Sequence, residues 1–342
     1  MPSRFIVFGI LWTPIWLFGF VGNTLSFVVM QREKRHRVAN YMLQCLAVAD
    51  NLYLLTTGVA TPVLMLYLPD TVSHPVYNVA ALALLPLGKV SHMWSIWMTV
   101  LIAWNGFIVI CKPLHAPRFC TIRRVYIQVS VMVVLCTLYC IPTILERKLD
   151  TVSDNSTNTS DTISVPWFLR FQWYRDVYDG LMYLIFVLLL PLFILAILNA
   201  ILIVRLWKAR KQRANICTSR PPAEHNEHEG SITLAMLLIM LIFTICQTPP
   251  MVLRGIVYVN IYDYSYCDFL ITISISNFAV LINSSVNFIV YCAVRKQFRK
   301  NLQAFLQLIP TGCNRLWSRR RWLARSVNET GEAQGTELNE LA

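Results

Sequence analysis

Seven long apolar stretches, separated by shorter polar ones, organise this chain. They run roughly over 5–30, 40–67, 79–111, 125–145, 178–206, 231–259 and 267–292. Each reaches the ~20 residues that a helix needs to cross a ~30 Å hydrocarbon layer. The pattern predicts an all-α membrane protein, a bundle of seven transmembrane helices. The first stretch is too long for a signal-peptide core and has no obvious cleavage site, so it reads as a retained helix. After Tyr291, Phe298, Leu302, Phe305 and Ile309 recur at helical spacing against Lys and Arg. That spacing predicts a short amphipathic eighth helix lying on the membrane surface. Residues 1–310 therefore read as one membrane domain and 311–342 as a tail, Gly-, Glu- and Asn-rich from Val327 and without the makings of a core. Cys313, just beyond the eighth helix, is a candidate for palmitoylation, with an unmodified thiol as the plainer reading.

Composition sharpens this. The chain of 342 residues is 56% hydrophobic and 14% charged, against about 25% charged in soluble domains. Its net charge of +12 could suit nucleic acid, but no RNA- or DNA-binding motif accompanies it. The bases instead follow the odd-numbered stretches. They include Arg32, Lys34, Arg35 and Arg37 after the first, and Lys112, Arg118, Arg123 and Arg124 after the third. Arg205 to Arg220 holds the next group, and Arg295 to Arg325 the last. This is the positive-inside pattern, which places the N-terminus outside. Between the fourth and fifth stretches lies LDTVSDNSTNTSDT, with glycosylation sequons at Asn155 and Asn158; a glycan there requires an external loop, in agreement with the charge rule. The ten cysteines lie mostly in apolar stretches and have neither zinc nor disulfide-framework spacing. The loop 208–230 reads as short and polar, broken by Pro221 and Pro222. Its His225, His228, Glu224, Glu227 and Glu229 admit a metal reading, but a solvated loop is the ordinary one.

Polar residues inside apolar sequence are the candidates for chemistry. Asp50 costs on the order of 3 kcal/mol at a bilayer centre and by default marks a functional site. Lys89 and His92, three apart, share a helix face; Lys89 is either a ligand contact or snorkels to the interface, and His92 either faces a cavity or is a satisfied core histidine. Asn23 suits a helix-to-helix hydrogen bond. Asn283, Ser284, Ser285 and Asn287 form a polar stripe in the seventh stretch. The sequences H-E-x-x-H and G-x-S-x-G are absent, so no hydrolase site is visible and the chain does not read as an enzyme. Neither matched, inverted pairs of broken helices nor a filter-like segment stands out, which weakens the transporter and channel readings.

Several of these residues carry a family resemblance covering about 9–302. GNTLSF at Asn23, LAVAD at Asp50, the turn Cys111-Lys112-Pro113-Leu114, Pro191, Pro249 and the Asn287/Tyr291 pair resemble, in order and spacing, the signatures of rhodopsin-like G-protein-coupled receptors. Gln247 in CQTP, Phe288 in NFIVY and Asn199 in LAILN resemble the variants of invertebrate FMRFamide-receptor-like neuropeptide receptors. The resemblance implies a plasma-membrane receptor for an extracellular amidated peptide, with a heterotrimeric G protein and membrane lipid as partners and no nucleic acid. It implies no cofactor beyond a sodium ion held by Asp50, Ser95, Asn283 and Asn287; the alternative there is a protonated Asp50 in a hydrogen-bonded network. It implies ligand contacts at Lys89, His92, Tyr183, Gln247, Met251, Arg254 and Asn277, and a switch or G-protein face at Asn105, Gly106, Phe107, Asn199 and Tyr291.

Two departures from the family pattern stand out. Asn105-Gly106-Phe107 occupies the place of the usual Asp/Glu-Arg-Tyr, and glycine offers neither charge nor reach. The cysteine expected about 25 residues earlier falls at Ala81, and 146–180 contains none, so both halves of the family's outer disulfide are missing together. A seven-helix ligand-binding protein that does not signal through G proteins is therefore the alternative within the fold.

Overall fold

The computed structural model describes residues 10–33, 36–67, 80–145, 148–153, 159–164, 175–216, 224–259 and 266–307. Asn155, Asn158, Cys313 and Ile309 lie outside the described residues, and of Arg254 only the backbone in a helix is described. Among the described residues, seven helices are long and apolar enough to cross a membrane. They are α1 (Thr13–Arg32), α2 (Arg37–Tyr67), α3 (Leu85–Cys111), α4 (Ile122–Ile144), α5 (Leu190–Ile216), α6 (Glu224–Val259) and α7 (Tyr266–Val294). Wider π-helical turns lead into α3 (Ala80–Leu84) and α5 (Arg175–Met182 and Leu184–Leu189). A helix satisfies its backbone hydrogen bonds within itself, which is what lipid demands of a spanning segment.

The bundle closes as a ring: α1 packs on α2 and α7, α2 on α3, and α6 on α5 and α7. Helix α3 is its axis, touching α2, α4, α5 and α6. The chain divides into two compact units, Met1–Lys296 and Gln297–Ala342. In the second, residues 297–307 are helical, with Gln297 Nε2 donating to Asn301 Oδ1 one turn on.

Polar and small residues turn inward and large apolar ones outward, the reverse of a soluble helix. On α1, Leu17, Phe18 and Val21 are exposed, whereas Gly19, Gly22, Asn23 and Ser26, at helical spacing, are buried. Small residues let backbones approach in a medium with no hydrophobic force to drive helices together. A Cβ on Gly22 would stand 2.8 Å from the Cβ of Phe288, so α1 and α7 meet there in near contact. Away from the basic end, α1 is stapled to α2 by two indoles. Trp12 Nε1 donates to the Gly58 carbonyl (2.8 Å) and Trp16 Nε1 to that of Leu54 (2.7 Å). Trp12, Tyr53, Leu54, Val280 and Leu281 form the apolar cluster beneath them.

Two expectations are corrected. The polar loop expected over 208–230 is mostly helix, since α5 runs on to Ile216 and α6 begins at Glu224. Lys, Arg, Gln, Ala and Glu are good helix formers and continue a helix into water. The polar loop after α4 contains regular structure: β1 (Lys148–Ser153) and β2 (Thr159–Ser164) form an antiparallel hairpin, with Thr151 opposite Asp161. Thr151, Val152, Thr159, Thr162 and Ile163 supply the β-branched residues that favour it. Pro142 sits inside the last turn of α4.

A buried polar spine as the candidate site

Five polar groupings lie along the bundle, all but one involving α3. The deepest surrounds Asp50, whose side chain has no solvent exposure. Ser95 Oγ donates to its Oδ1 (2.6 Å) and Asn287 Nδ2 to its Oδ2 (2.7 Å), tying α2 to α3 and α7. Ser284 also hydrogen-bonds this carboxylate. Beside it, Asn23 Nδ2 donates to the Ser284 carbonyl (2.8 Å), the helix-to-helix bond expected of Asn23. Asp50, Ser95 and Asn287 are therefore brought together, while Asn283, buried on the same helix, makes no hydrogen bond to Asp50. Ser284 is the residue that sequence reasoning left out of the set, although it stands in the same polar stripe. A carboxylate and two hydroxyls supply oxygens of the kind a hard cation takes, so these residues fit sodium; Asn287 presents its N–H to the carboxylate and would add an oxygen only by turning its amide.

One turn from Ser95, His92 meets α6. Its Nε2 lies 3.0 Å from Gln247 Nε2, and both side chains are buried. An amide N–H only donates, so the imidazole nitrogen accepts and its proton sits on Nδ1. The Tyr53 ring packs on the imidazole at 5.5 Å. Gln247 Oε1 is left buried without a hydrogen-bond partner. His92 thus makes a buried contact that crosses from α3 to α6.

Farther from the basic end, a cavity of about 10 Å³ opens between α3, α4 and the start of α5. Lys89 and Tyr183 both line it; Tyr139, Cys140, Thr143 and Tyr178 join them. Tyr178 is held by its hydroxyl, which donates to the Tyr139 carbonyl (2.5 Å) and lies 3.3 Å from Thr143 Oγ1. The Tyr139 and Tyr178 rings pack at 5.5 Å. Met251 and Asn277 are half-buried on α6 and α7 and do not line the cavity. The predicted ligand set therefore separates into Lys89 with Tyr183, His92 with Gln247, and residues apart from both. The α4 contributors escaped sequence reading because the charges of α4, Arg123 and Arg124, lie at its basic end and none marks its inward face beside the cavity; the hydroxyls of Tyr139 and Thr143, one turn apart, were the available signal.

At the basic end, Asn105 is buried. Its Nδ2 donates to the Leu101 carbonyl (2.9 Å) and to Gln128 Oε1 (3.2 Å), joining α3 to α4, while its Oδ1 has no partner. A Cβ on Gly106 would meet nothing within 4 Å. Phe107 stacks on Trp104 (6.0 Å). Asn199 and Tyr291 are buried on α5 and α7. The turn after α3 is stabilised by backbone bonds from His115 and Ala116 to the Lys112 carbonyl (2.9 and 3.1 Å), and then makes a single helical turn, Ala116–Phe119. Burial pushes the thiol of Cys120, next in sequence, above its ordinary range.

The fifth grouping had no forerunner in the sequence. Arg295, at the end of α7, donates through Nη2 to Glu33 Oε2 (2.9 Å) and to Asn40 Oδ1 (2.8 Å). Glu33 caps α1, and His36 in the following turn takes the left-handed conformation (φ 56°) before α2 begins. Burial lowers the guanidinium's proton affinity from its ordinary value, and Glu33 opposes that shift. Asn40 Nδ2 closes the group by donating to the Glu33 carbonyl (3.3 Å).

Comparison with known proteins bears on what such a bundle is. A 26% identity over 307 residues relates this chain to the "FMRFamide receptor" of Drosophila melanogaster, covering 87% of this chain and 53% of that protein. The "FMRFamide peptide receptor frpr-18" of Caenorhabditis elegans is 25% identical over 87% of this chain and 68% of its own. The "Sex peptide receptor" of Drosophila melanogaster is 23% identical over 83% and 68%, respectively. The chain spans little more than half the length of the Drosophila FMRFamide receptor. The family model described as 7 transmembrane receptor (rhodopsin family) matches residues 22–291, from the buried Gly22 to the buried Tyr291. By the extent of that match and the seven helices arranged around α3, the chain belongs to the rhodopsin family of seven-transmembrane receptors.

Proposed function

We propose that the chain is a receptor for a short amidated peptide of the FMRFamide type, held in the plasma membrane with its N-terminus outside and its basic end toward the cytoplasm and a heterotrimeric G protein. The observation that carries this reading is the meeting of Lys89 and Tyr183 around one cavity, in the half of α3 away from the basic end. The names of the relatives and the positive-inside distribution of charge support it. A ligand acts by binding one conformation of the bundle more tightly than another. The bond from His92 to Gln247 makes α6 sensitive to what happens beside α3, and the two conformations would differ in the position of α6 at the basic end. A sodium ion among Asp50, Ser95 and Ser284 would supply the counter-charge that a buried carboxylate needs and would favour one of them.

Gly106 favours a second reading, a receptor that binds peptide without activating a G protein, because the position that carries arginine in the usual pattern is empty of charge. Peptide-stimulated G-protein activation in cells separates the two, comparing the chain with its Gly106→Arg variant across peptides ending in Arg-Phe-amide. Signalling by the unaltered chain is the expected outcome. Signalling by the arginine variant alone would identify a silent binder, and silence from both at normal surface expression would overturn the ligand assignment.

A further inference from the structure

We propose that the seam between α3 and α4 holds a site for a soft monovalent metal ion, Cu(I) or its redox-inert counterpart Ag(I). Its ligands are the Cys140 thiolate and the Met93 thioether, with Cys136 as a third sulfur one turn away. The proposal stands on sulfur geometry and is independent of the peptide-receptor reading.

Four sulfurs come together on these two helices. Cys140 Sγ lies 3.9 Å from Met93 Sδ, a contact from α4 to α3, and Cys136 Sγ lies 3.8 Å from Met132 Sδ on α4 itself. Met132, Cys136 and Cys140 recur every fourth residue and so share one face of α4, and the two thiols are close enough to interact electrostatically. Cys136, Cys140 and Met93 are buried, and both cysteines are free thiols. A metal–sulfur bond of about 2.3 Å puts two sulfurs about 3.8 Å apart around a tetrahedral ion and about 4.0 Å apart around a trigonal one. The observed separations match. Packing alone asks for less. Thr137, on the same helix, donates to the Val133 carbonyl (2.7 Å), the ordinary use of a short polar side chain within a helix. Both cysteines turn to a methionine sulfur instead.

The donor set chooses the ion. Thiolate and thioether sulfurs are soft ligands suited to Cu(I), whereas hard cations take oxygen. Among the described residues, no group of three or more His, Cys, Asp or Glu side chains could hold a metal, so zinc, which takes four ligands of these types, has no site. Charge agrees. Binding exchanges the Cys140 thiol proton, released to water, for one monovalent ion, and the net charge of the site is unchanged. A divalent ion would add a positive charge near Lys89, which interacts electrostatically with Cys140. Met93 and Cys140 also line the cavity of about 10 Å³, room for roughly one water-sized particle and hence for a single ion. Once occupied, the site ties α3 to α4 at a point well removed from the bond between Asn105 and Gln128.

The test uses the purified full chain in detergent, without oxygen, with free Cu(I) set by the competing chelator bicinchoninate. The unaltered chain is expected to withdraw one equivalent of copper more than Cys140→Ala. Met93→Leu, which keeps all ten cysteines, should weaken that equivalent at least tenfold, and Cys45→Ala with Cys246→Ala, on other helices, should leave it in place. X-ray absorption at the copper edge should show two or three sulfur ligands at about 2.3 Å. Ag(I) should raise the melting temperature of the unaltered chain more than that of Cys140→Ala, and melting without metal reports whether each variant is folded. Copper binding indifferent to Met93→Leu, copper bound through nitrogen or oxygen, or a rise in melting temperature with Zn(II) equal to that with Ag(I) would each overturn the proposal.

Discussion

The guanidinium of Arg295 lies 2.9 Å from the carboxylate of Glu33, with the two side chains 1% and 4% exposed. A buried pair of this kind repays its desolvation only through close geometry and further hydrogen bonds, and Asn40 supplies one of these. Removing one partner strands the other charge. Arg295→Met should therefore destabilise the protein by about 3–5 kcal/mol, and the double variant Glu33→Leu, Arg295→Met by less than the single one. Unfolding of the purified variants checks this; a single variant that unfolds like the parent would show that the pair is not buried as described.

A second polar contact makes a smaller prediction. Gln247→Leu leaves the His92 acceptor without its donor, a loss of about 1–3 kcal/mol for an unsatisfied buried group. His92→Phe combined with Gln247→Leu removes both partners and should recover part of it. Additive losses in that double-mutant cycle would mean that the two side chains do not interact.

Two glycines should respond to alanine with opposite signs. At Gly58 the new methyl would stand 2.5 Å from Trp16 Cδ1 and 2.9 Å from its Nε1, so the indole must leave the Leu54 carbonyl and the melting temperature should fall. At Gly106 there is open space, and alanine should stabilise α3 by about 1 kcal/mol through helix propensity alone. Equal effects at the two positions would contradict the close approach of Trp16 to one glycine and the open space beside the other.

The Asp50 site predicts an ion effect. At constant ionic strength, replacing choline chloride by sodium chloride should raise the melting temperature of the parent protein, since a ligand that binds only the folded state stabilises it. Asp50→Asn should abolish that dependence. A parent that melts identically in the two salts would leave the carboxylate to its hydrogen bonds alone.

The features legible in the sequence owe their visibility to the cost of polarity in lipid. Seven apolar runs give seven helices because no other open structure hides its backbone there, and Asp50, Ser95 and Asn287 stand out because each interrupts such a run. Glu33 and Arg295 were invisible for the converse reason. They lie among the basic residues that flank the membrane, where a charge ordinarily meets water, and only the fold shows that 33, 40 and 295 converge. The cavity was half legible: Lys89 announced itself by charge and Tyr183 came through the resemblance, but Tyr139 and Tyr178 look like interfacial aromatics until α4 and the start of α5 are placed side by side. The hairpin was missed because its strands are short, polar and lack the apolar alternation that marks a half-buried sheet.

The bonds that close the ring also set the order of its assembly. Asn23 reaches Ser284 across 261 residues and Arg295 reaches Glu33 across 262, so the first helix meets the seventh only when the end of the bundle has been synthesised. Until then the Asn23 amide and, ten residues on, the Glu33 carboxylate lack the partners they have in the finished bundle. Contacts so distant in sequence are slow to form, and a chain interrupted before Ser284 would hold a first helix that can staple to the second through Trp12 and Trp16 but has no surface on which to finish. The α1–α7 seam is therefore the part of the bundle that a chain lacking its last helix cannot form.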